Sequence, residues 1–308
     1  MDEPSLTDCE ECLAPEEAFG VLANETRLSI LEALWAADEP VVSFSALRRA
    51  TGVSDSAQFN YHLGELRGEF VRKREDGYEL TYAGRAVIQA VVAGTFNERP
   101  EVEPFAVEGD CVDCGGPLCA RYEDDQFWIE CADCGQCHVR YPFPPGGLAD
   151  RSRTEAVRAL DQRVRHFHCL MGDGVCPHCG GTVASTLVVD GSFPAFLDID
   201  VAVSYTCNRC PHELTTPVGM VVLDHVEVVS FYRDHGVDLN ERPMWTLPWI
   251  RSADYVTVES RDPCLVTLTV PLEDERLRLR LDGDLNVREA ERLGGVAAAE
   301  ESTSAAGD

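Results

Sequence analysis

Ser54-Asp-Ser-Ala-Gln-Phe-Asn-Tyr-His-Leu-Gly-Glu-Leu-Arg67 is the stretch on which the reading of this chain turns. As a helix it sets Phe59, Leu63, Leu66 and then Phe70 at offsets of 0, 4, 7 and 11 residues, which makes one apolar stripe. Ser54 is the predicted N-cap, and Asp55 favours the positive start of the helix. Opposite the stripe lie Ala57, Gln58, Asn60, Tyr61 and Gly64, which are small or can hydrogen-bond. A helix with one aliphatic face and one amide- and hydroxyl-bearing face suits the DNA major groove. An ordinary amphipathic surface helix carries the same pattern, so the neighbouring segments have to decide.

Upstream, Pro15 to Ala23 and Asn24 to Trp35 read as two helices, the second with Leu28, Leu31, Leu34 and Trp35 on one face. A short β-like run, Val41-Val-Ser43, precedes a small helix from Phe44 to Thr51, which Gly52 stops. Only a tight turn separates that helix from Ser54, which predicts a helix-turn-helix. Downstream, Val71 to Arg74 and Tyr78 to Thr81 flank Glu75-Asp-Gly77, and an Asp-Gly turn between short alternating runs predicts a hairpin. A helix-turn-helix followed at once by a basic hairpin is a winged helix.

Residues 18 to 92 resemble the ArsR-type winged-helix regulators, through Leu22-Ala-Asn-Glu-Thr-Arg-Leu-Ser-Ile-Leu31 and through His62-Leu63 in the second helix of the pair. The fuller run Gln58-Phe-Asn-Tyr-His-Leu63, together with the cysteine pairs described below, is similar to a haloarchaeal branch of that family. The resemblance covers about the first third of the chain. It implies sequence-specific binding of double-stranded DNA by a homodimer, with Ala83 to Gly94 as the dimerisation helix. Arsenic-sensing and other metal-sensing members carry cysteines beside the recognition system. Residues 41 to 82 hold none, so metal sensing there is not carried over.

The composition of the 308 residues fits a protein made for brine: the formal charge is -28, and Lys73 is the only lysine. In molar salt, self-repulsion is screened and carboxylates hold hydrated cations. The alternative, an acidic protein of ordinary cytoplasm with an acidic tail, fits less well because the acid is spread along the whole chain. A global charge of this sign opposes nucleic-acid binding, but between Phe44 and Arg85 seven basic residues face six acidic ones, and three of the seven (Arg72, Lys73, Arg74) sit in the hairpin. The chain opens Met-Asp-Glu-Pro-Ser, unlike a basic, apolar leader, and no run of ~18 apolar residues exists to span a membrane. A cytoplasmic protein is expected, and its 14 cysteines then read as metal ligands before disulfides.

Two pairs of CxxC knuckles carry that reading. Cys111-Val-Asp-Cys114 and Cys131-Ala-Asp-Cys134 are separated by 16 residues, the spacing of a four-cysteine zinc ribbon, with strands expected over Leu118–Tyr122 and Gln126–Glu130 around Glu123-Asp-Asp125. Cys176-Pro-His-Cys179 and Cys207-Asn-Arg-Cys210 repeat the pattern across 27 residues, with strands over Val183–Val189 and Leu197–Tyr205 around a turn at Asp190–Pro194. Two zinc ions (Zn2+) per chain are expected on these eight cysteines. Cys119 and Cys137 read as small buried hydrophobes, and His178 and His212 as neighbours of an already complete ligand set. Cys9-Glu-Glu-Cys12 is half a site with no partner pair nearby.

The expected fold class is α+β, an N-terminal winged helix-turn-helix followed by a β-rich domain with two zinc ribbons. The divisions are an acidic tail (1–14), the winged helix (15–96), a proline-rich linker (97–110), the first ribbon (111–145), a connecting helix (150–172), the second ribbon with an antiparallel meander (173–290) and a disordered tail (291–308). On the connecting helix Ala156, Leu160, Val164 and Phe167 share one face; Arg158, Arg163, Arg165, His166 and His168 read as a solvated face, with phosphate contact as the alternative. A further helix is expected over Asp224–His235. Met244 to Trp249 reads as a packing segment, with a ligand pocket as the alternative. The meander strands are Tyr255–Glu259, Leu265–Val270 and Arg276–Leu281, and in the last of these the arginines alternate with leucines.

No phosphate loop, HExxH or nucleophile with a recognisable base occurs, so the leading class is a DNA-binding transcriptional regulator and not an enzyme. Ser56, Gln58, Asn60 and Tyr61 would read bases, while Arg67, Arg72, Lys73 and Arg74 would hold phosphates. Two other classes stand beside it: a thiol-redox or metal-handling protein acting through its cysteine pairs, and a zinc-ribbon adaptor docking onto transcription machinery. An effector of the C-terminal domain is left open.

Overall fold

The computed structural model describes residues 13–189, 193 and 199–294. The chain is α+β and divides into two compact units, residues 1–99 with 144–146, and residues 100–143 with 147–308. The Cys9–Cys12 pair lies outside the described residues, as does the turn expected around Asp190–Pro194 apart from Phe193.

In the first unit, helices α1 (Pro15–Leu22), α2 (Glu25–Trp35), α3 (Phe44–Thr51) and α4 (Ser56–Leu66) precede a two-stranded hairpin, β1 (Val71–Lys73) and β2 (Tyr78–Leu80), and helix α5 (Tyr82–Val92). Helices α2, α3 and α5 are capped at their starts by side chains that satisfy an orphan N–H: Asn24 accepts from Arg27, Ser43 from Ala46 and Thr81 from Gly84. Helix α4 is capped by Asp55 and not by Ser54 as the sequence predicted. The Asp55 carboxylate takes the N–H groups of Ala57 and Gln58 at 2.7 and 3.2 Å, and a carboxylate at a helix start also gains from the helix dipole. Gly52 ends α3 with φ at 70°, a conformation that allows the sharp turn into α4.

The core of this unit is the expected stripe. Phe59, Leu63, Leu66 and Phe70 are buried with Ile30, Leu31, Leu34 and Leu47, each worth about 1.5–3 kcal/mol of removal from water. Val42 exchanges backbone hydrogen bonds with Tyr78, adding a single bridge to the edge of the hairpin where the sequence predicted a β-like run. Gly77 is required there, because a Cβ at that position would strike the Val42 carbonyl.

The second unit opens with β3 (Val102–Asp110), which corrects the linker expected over 97–110. It pairs antiparallel with β4 (Pro117–Glu123), which pairs with β5 (Gln126–Cys131), and β5 with β6 (Cys137–Pro142), in the order β3-β4-β5-β6. The β4–β5 turn is tight, with Asp124 and Asp125 both left-handed, as a two-residue hairpin that follows strand twist requires. Helix α6 (Arg153–Gly172) begins with a Ser152/Glu155 capping box. A three-stranded meander follows: β7 (Val183–Val188), β8 (Ala202–Cys207) and β9 (Glu213–Pro217). Short helices α7 (Val218–Val222), α8 (Val226–Asp234) and α9 (Pro248–Arg251) lead to a four-stranded meander, β10 (Val256–Arg261), β11 (Cys264–Leu272), β12 (Glu275–Asp282) and β13 (Val287–Leu293).

Strand β13 extends the three-stranded meander and takes up residues 291–293 of the tail predicted to be disordered; residues 295–308 of that tail lie outside the described residues. Its inward neighbours on β12 explain it: Arg278 meets Glu291 at 3.4 Å, and Arg280 meets Glu289 at 3.3 Å, so a strand without an apolar face is held by its ladder and by cross-strand charge. The arginines of β12 therefore do offset local carboxylates, and Arg280 also reaches Glu259 of β10 at 2.8 Å. On the other face Leu277, Leu279 and Leu281 are fully buried.

The basic face of α6 is not all solvated. Arg165 is buried against Asp161 one turn earlier, 2.8 Å from Nε to Oδ2, and its Nη2 donates to the Arg242 carbonyl. Asp161 Oδ1 in turn accepts the Met244 N–H at 2.8 Å, which ties α6 to the Met244–Trp249 segment. That segment packs as expected: Trp245 and Trp249 are buried, and Trp249 donates to the Tyr232 hydroxyl at 2.8 Å.

Candidate metal centres and nucleic-acid interface

The eight cysteines form two groups. Cys111, Cys114, Cys131 and Cys134 bring their sulfurs within 4.8 Å of one another, and so do Cys176, Cys179, Cys207 and Cys210. The paired sulfurs stand at 3.8 Å (Cys111–Cys134), 3.5 Å (Cys114–Cys131), 3.8 Å (Cys176–Cys210) and 3.6 Å (Cys179–Cys207). A tetrahedral ion with sulfur ligands at about 2.3 Å needs edges of about 3.8 Å, whereas a disulfide needs about 2.05 Å. All eight thiols are free, and the spacing is that of metal ligation.

Local backbone chemistry builds these groups. In three knuckles a glycine follows the second cysteine in a left-handed conformation (Gly115, Gly135 and Gly180, φ 69–74°) and donates its N–H to the carbonyl of the first cysteine. The chain then turns back, so that Cys111 N–H donates to Gly116 and Cys176 N–H to Gly181. Proline stands at the glycine's place in the fourth knuckle and has no N–H to give, but the turn back is kept, with Cys207 N–H donating to the His212 carbonyl. Backbone donors favour thiolate at one cysteine of each group: the Cys134 N–H holds Cys131 down at about 7, and the Arg209 and Cys210 N–H groups hold Cys207 at about 6, while Cys114 and Cys210 beside them are pushed up to about 12.

Other groups surround the clusters without completing them. His138 Nε2 lies 3.3 Å from Cys111 Sγ, and burial holds its imidazole neutral, down at about 4. With Asp113 it makes a second possible ligand set on Cys111, and that set has one fewer ligand than the four-sulfur group. His178 and His212 meet edge to face, with ring centroids 4.3 Å apart. Cys119 and Cys137 are half-buried and stay outside both groups; burial pushes the Cys137 thiol up.

In the first unit the outer face of α4 presents Ser56, Gln58, Asn60 and Tyr61 to solvent, with Tyr61 at 61% exposure, and Arg67, Arg72, Lys73 and Arg74 are exposed at its C-terminal end and on the hairpin. All eight residues named from sequence are therefore accessible. One contact was not foreseen. Glu79, opposite Arg72 on the hairpin, lies 2.7 Å from Arg74 and 3.5 Å from Arg72, which leaves Lys73 as the hairpin cation with no carboxylate partner among the described residues. Such exposed pairs are weak, because solvent and salt screen them.

Residues 108–287 match the profile of a protein family described as Domain of unknown function (DUF7351), and the chain belongs to that family. Residues 15–91 match a second profile, Domain of unknown function (DUF7347). The second match lies within the first structural unit, and the first lies in the second unit apart from residues 144–146. No curated protein and no solved structure matches the chain. Among the described residues no helix is long and apolar enough to cross a membrane.

Proposed function

We propose that this protein is a sequence-specific DNA-binding transcriptional regulator of the ArsR-like winged-helix kind, acting as a homodimer, with two zinc ribbons in its C-terminal unit. The observation that carries the proposal is helix α4. Its apolar stripe is fully spent on the core, while Gln58, Asn60 and Tyr61 remain exposed beside a hairpin that bears Arg72, Lys73 and Arg74. Amides and hydroxyls on a helix read base edges, and cations on an adjoining hairpin hold phosphates. Helix α5 leaves Tyr82 and Val92 exposed, at 86% and 56%, which suits a helix that pairs with its copy.

Zinc is the ion proposed for both cysteine groups, because four thiolates at tetrahedral edges suit a borderline-soft cation, and its role there is to fix the ribbons. Elemental analysis should find two zinc ions per chain, one fewer after Cys131→Ser and none fewer after Cys264→Ser. Less than one zinc in protein prepared without chelators overturns the assignment.

The DNA reading is tested with a promoter fragment and variants of its site. Gln58→Ala and Tyr61→Ala should flatten discrimination among site variants, by about 1–3 kcal/mol for a base contact, and Lys73→Ala should weaken all of them alike. Absence of any shift with DNA while the protein retains transcription machinery would favour the adaptor class instead.

A further inference from the structure

The C-terminal unit holds a half-open pocket of about 280 Å³ that neither the zinc sites nor the DNA face uses. Its walls are β6 and β9, the strands that leave the second knuckle of each cysteine group, together with one side of α6 and the Met244–Arg251 segment. Apolar side chains such as Val139, Val164, Leu214 and Met220 make up much of the lining.

The polar part of the lining is unusual. His138 Nδ1, Tyr141 OH, Thr216 Oγ1 and Trp245 Nε1 are shielded from solvent and have no hydrogen-bond partner among the described residues. More than nine in ten buried polar groups in proteins are satisfied, and each exception costs about 1–3 kcal/mol. Four exceptions on the walls of one cavity point to a partner that arrives from outside the chain. Thr216 and Trp245 are only 1% and 2% exposed, so the floor of this half-open pocket is made of buried side chains.

The chemistry of the four groups defines what fits. The tryptophan N–H can only donate, and the threonine and tyrosine hydroxyls donate readily to an anion. The guanidinium of Arg251, itself 8% exposed, lines the same cavity and donates Nη1 to the Cys137 carbonyl at 2.7 Å. His138 is the exception: with Nε2 turned to Cys111 Sγ, its Nδ1 is left as an acceptor. The one carboxylate in the lining, Glu213, is exposed. Donors and one buried cation set in apolar walls suit an anionic acceptor on an apolar body.

We infer that this cavity binds a small organic carboxylate with an aromatic or branched aliphatic body, its carboxylate taken by Thr216, Tyr141, Trp245 and Arg251. The site belongs to the second unit alone and does not depend on DNA binding by the first. A neighbouring cavity of about 670 Å³ between β3 and α6 also uses Trp245 but contains neither Thr216 nor Tyr141, so those two residues tell the cavities apart.

The test is calorimetric titration of the full-length, zinc-loaded chain in molar potassium chloride, where chloride competes and charge alone does not suffice. The probes are benzoate, phenylacetate, phenyllactate and isovalerate, each beside its primary amide. At least one carboxylate should saturate a single site per chain with Kd below about 1 mM, and its amide should bind about tenfold more weakly. Thr216→Val and Tyr141→Phe should each weaken binding about fivefold to tenfold without changing circular dichroism. The inference is overturned if none of the four acids saturates, or if acid and amide bind alike. It is equally overturned if only Trp245→Phe, and neither Thr216→Val nor Tyr141→Phe, affects binding, which would move the ligand to the neighbouring cavity.

Discussion

Replacing Asp161 by Asn should destabilise the C-terminal unit by about 3–5 kcal/mol, although the side chains are nearly isosteric. The magnitude follows from what surrounds the pair. Arg165 and Asp161 have side chains only 2% and 5% exposed, so little water is available to screen a lone guanidinium. An asparagine at 161 can still accept the Met244 N–H, but it withdraws the charge that faces Arg165 Nε at 2.8 Å and can turn an amide donor toward a donor. Arg165→Met should cost less. Burial already pushes the Asp161 carboxyl above its ordinary value, and once the cation is gone the acid can take up a proton and become neutral. The double variant should then be less destabilised than the sum of the singles, because neither group is left charged and alone. Urea denaturation of the zinc-loaded chain in molar potassium chloride, followed by circular dichroism, measures all three. An Asp161→Asn variant within about 1 kcal/mol of the parent, as for an exposed pair, would refute the reasoning.

Other consequences are as specific. A Cβ on Gly181 would lie 3.2 Å from both the Cys179 and Cys207 sulfurs and 2.7 Å from Arg209 Cβ, so Gly181→Ala should weaken the second zinc site about tenfold to a hundredfold and leave the first unchanged, as read by chelator competition. His168 donates Nδ1–H to the Val164 carbonyl at 2.8 Å, and burial lowers its pKa from 6.5 to about 4. The unfolded chain then binds the extra proton first as pH falls, so stability should drop between about 6.5 and 4 and level off below; His168→Gln should remove that part of the slope in parallel denaturation curves. DNA affinity should depend only weakly on salt in the molar range, because carboxylates such as Glu65, Glu75 and Glu79 keep cations near the binding face; a steep negative slope in a salt titration would contradict it.

Much of this was legible in the sequence where the signal is local. Phe59, Leu63 and Leu66 mark α4 by period alone, and the cysteine pairs mark the metal groups because a knuckle needs only four or five consecutive residues. What escaped depends on partners distant in sequence. Strand β3 has Val102, Phe105 and Val107, but its register against β4 shifts between Val102 and Phe105 and again between Val107 and Asp110, so no clean alternation appears in a proline- and acid-rich run. Strand β13 has no buried face and is specified by charges on β12. The burial of Arg165 needs Asp161, Arg242 and Met244 together, and only the first of these is near it in sequence. Asp55 took the cap from Ser54 by one residue, a choice that depends on where the α3–α4 turn ends.

The measurement that bears most directly on a DNA-reading α4 is selection of bound duplexes from a randomised pool by the full-length, zinc-loaded chain in molar potassium chloride. The expected result is an enriched motif of two symmetric half-sites, its base preferences degraded by Tyr61→Ala and preserved, at lower yield, by Lys73→Ala. A selected pool no different in sequence from the input would contradict it.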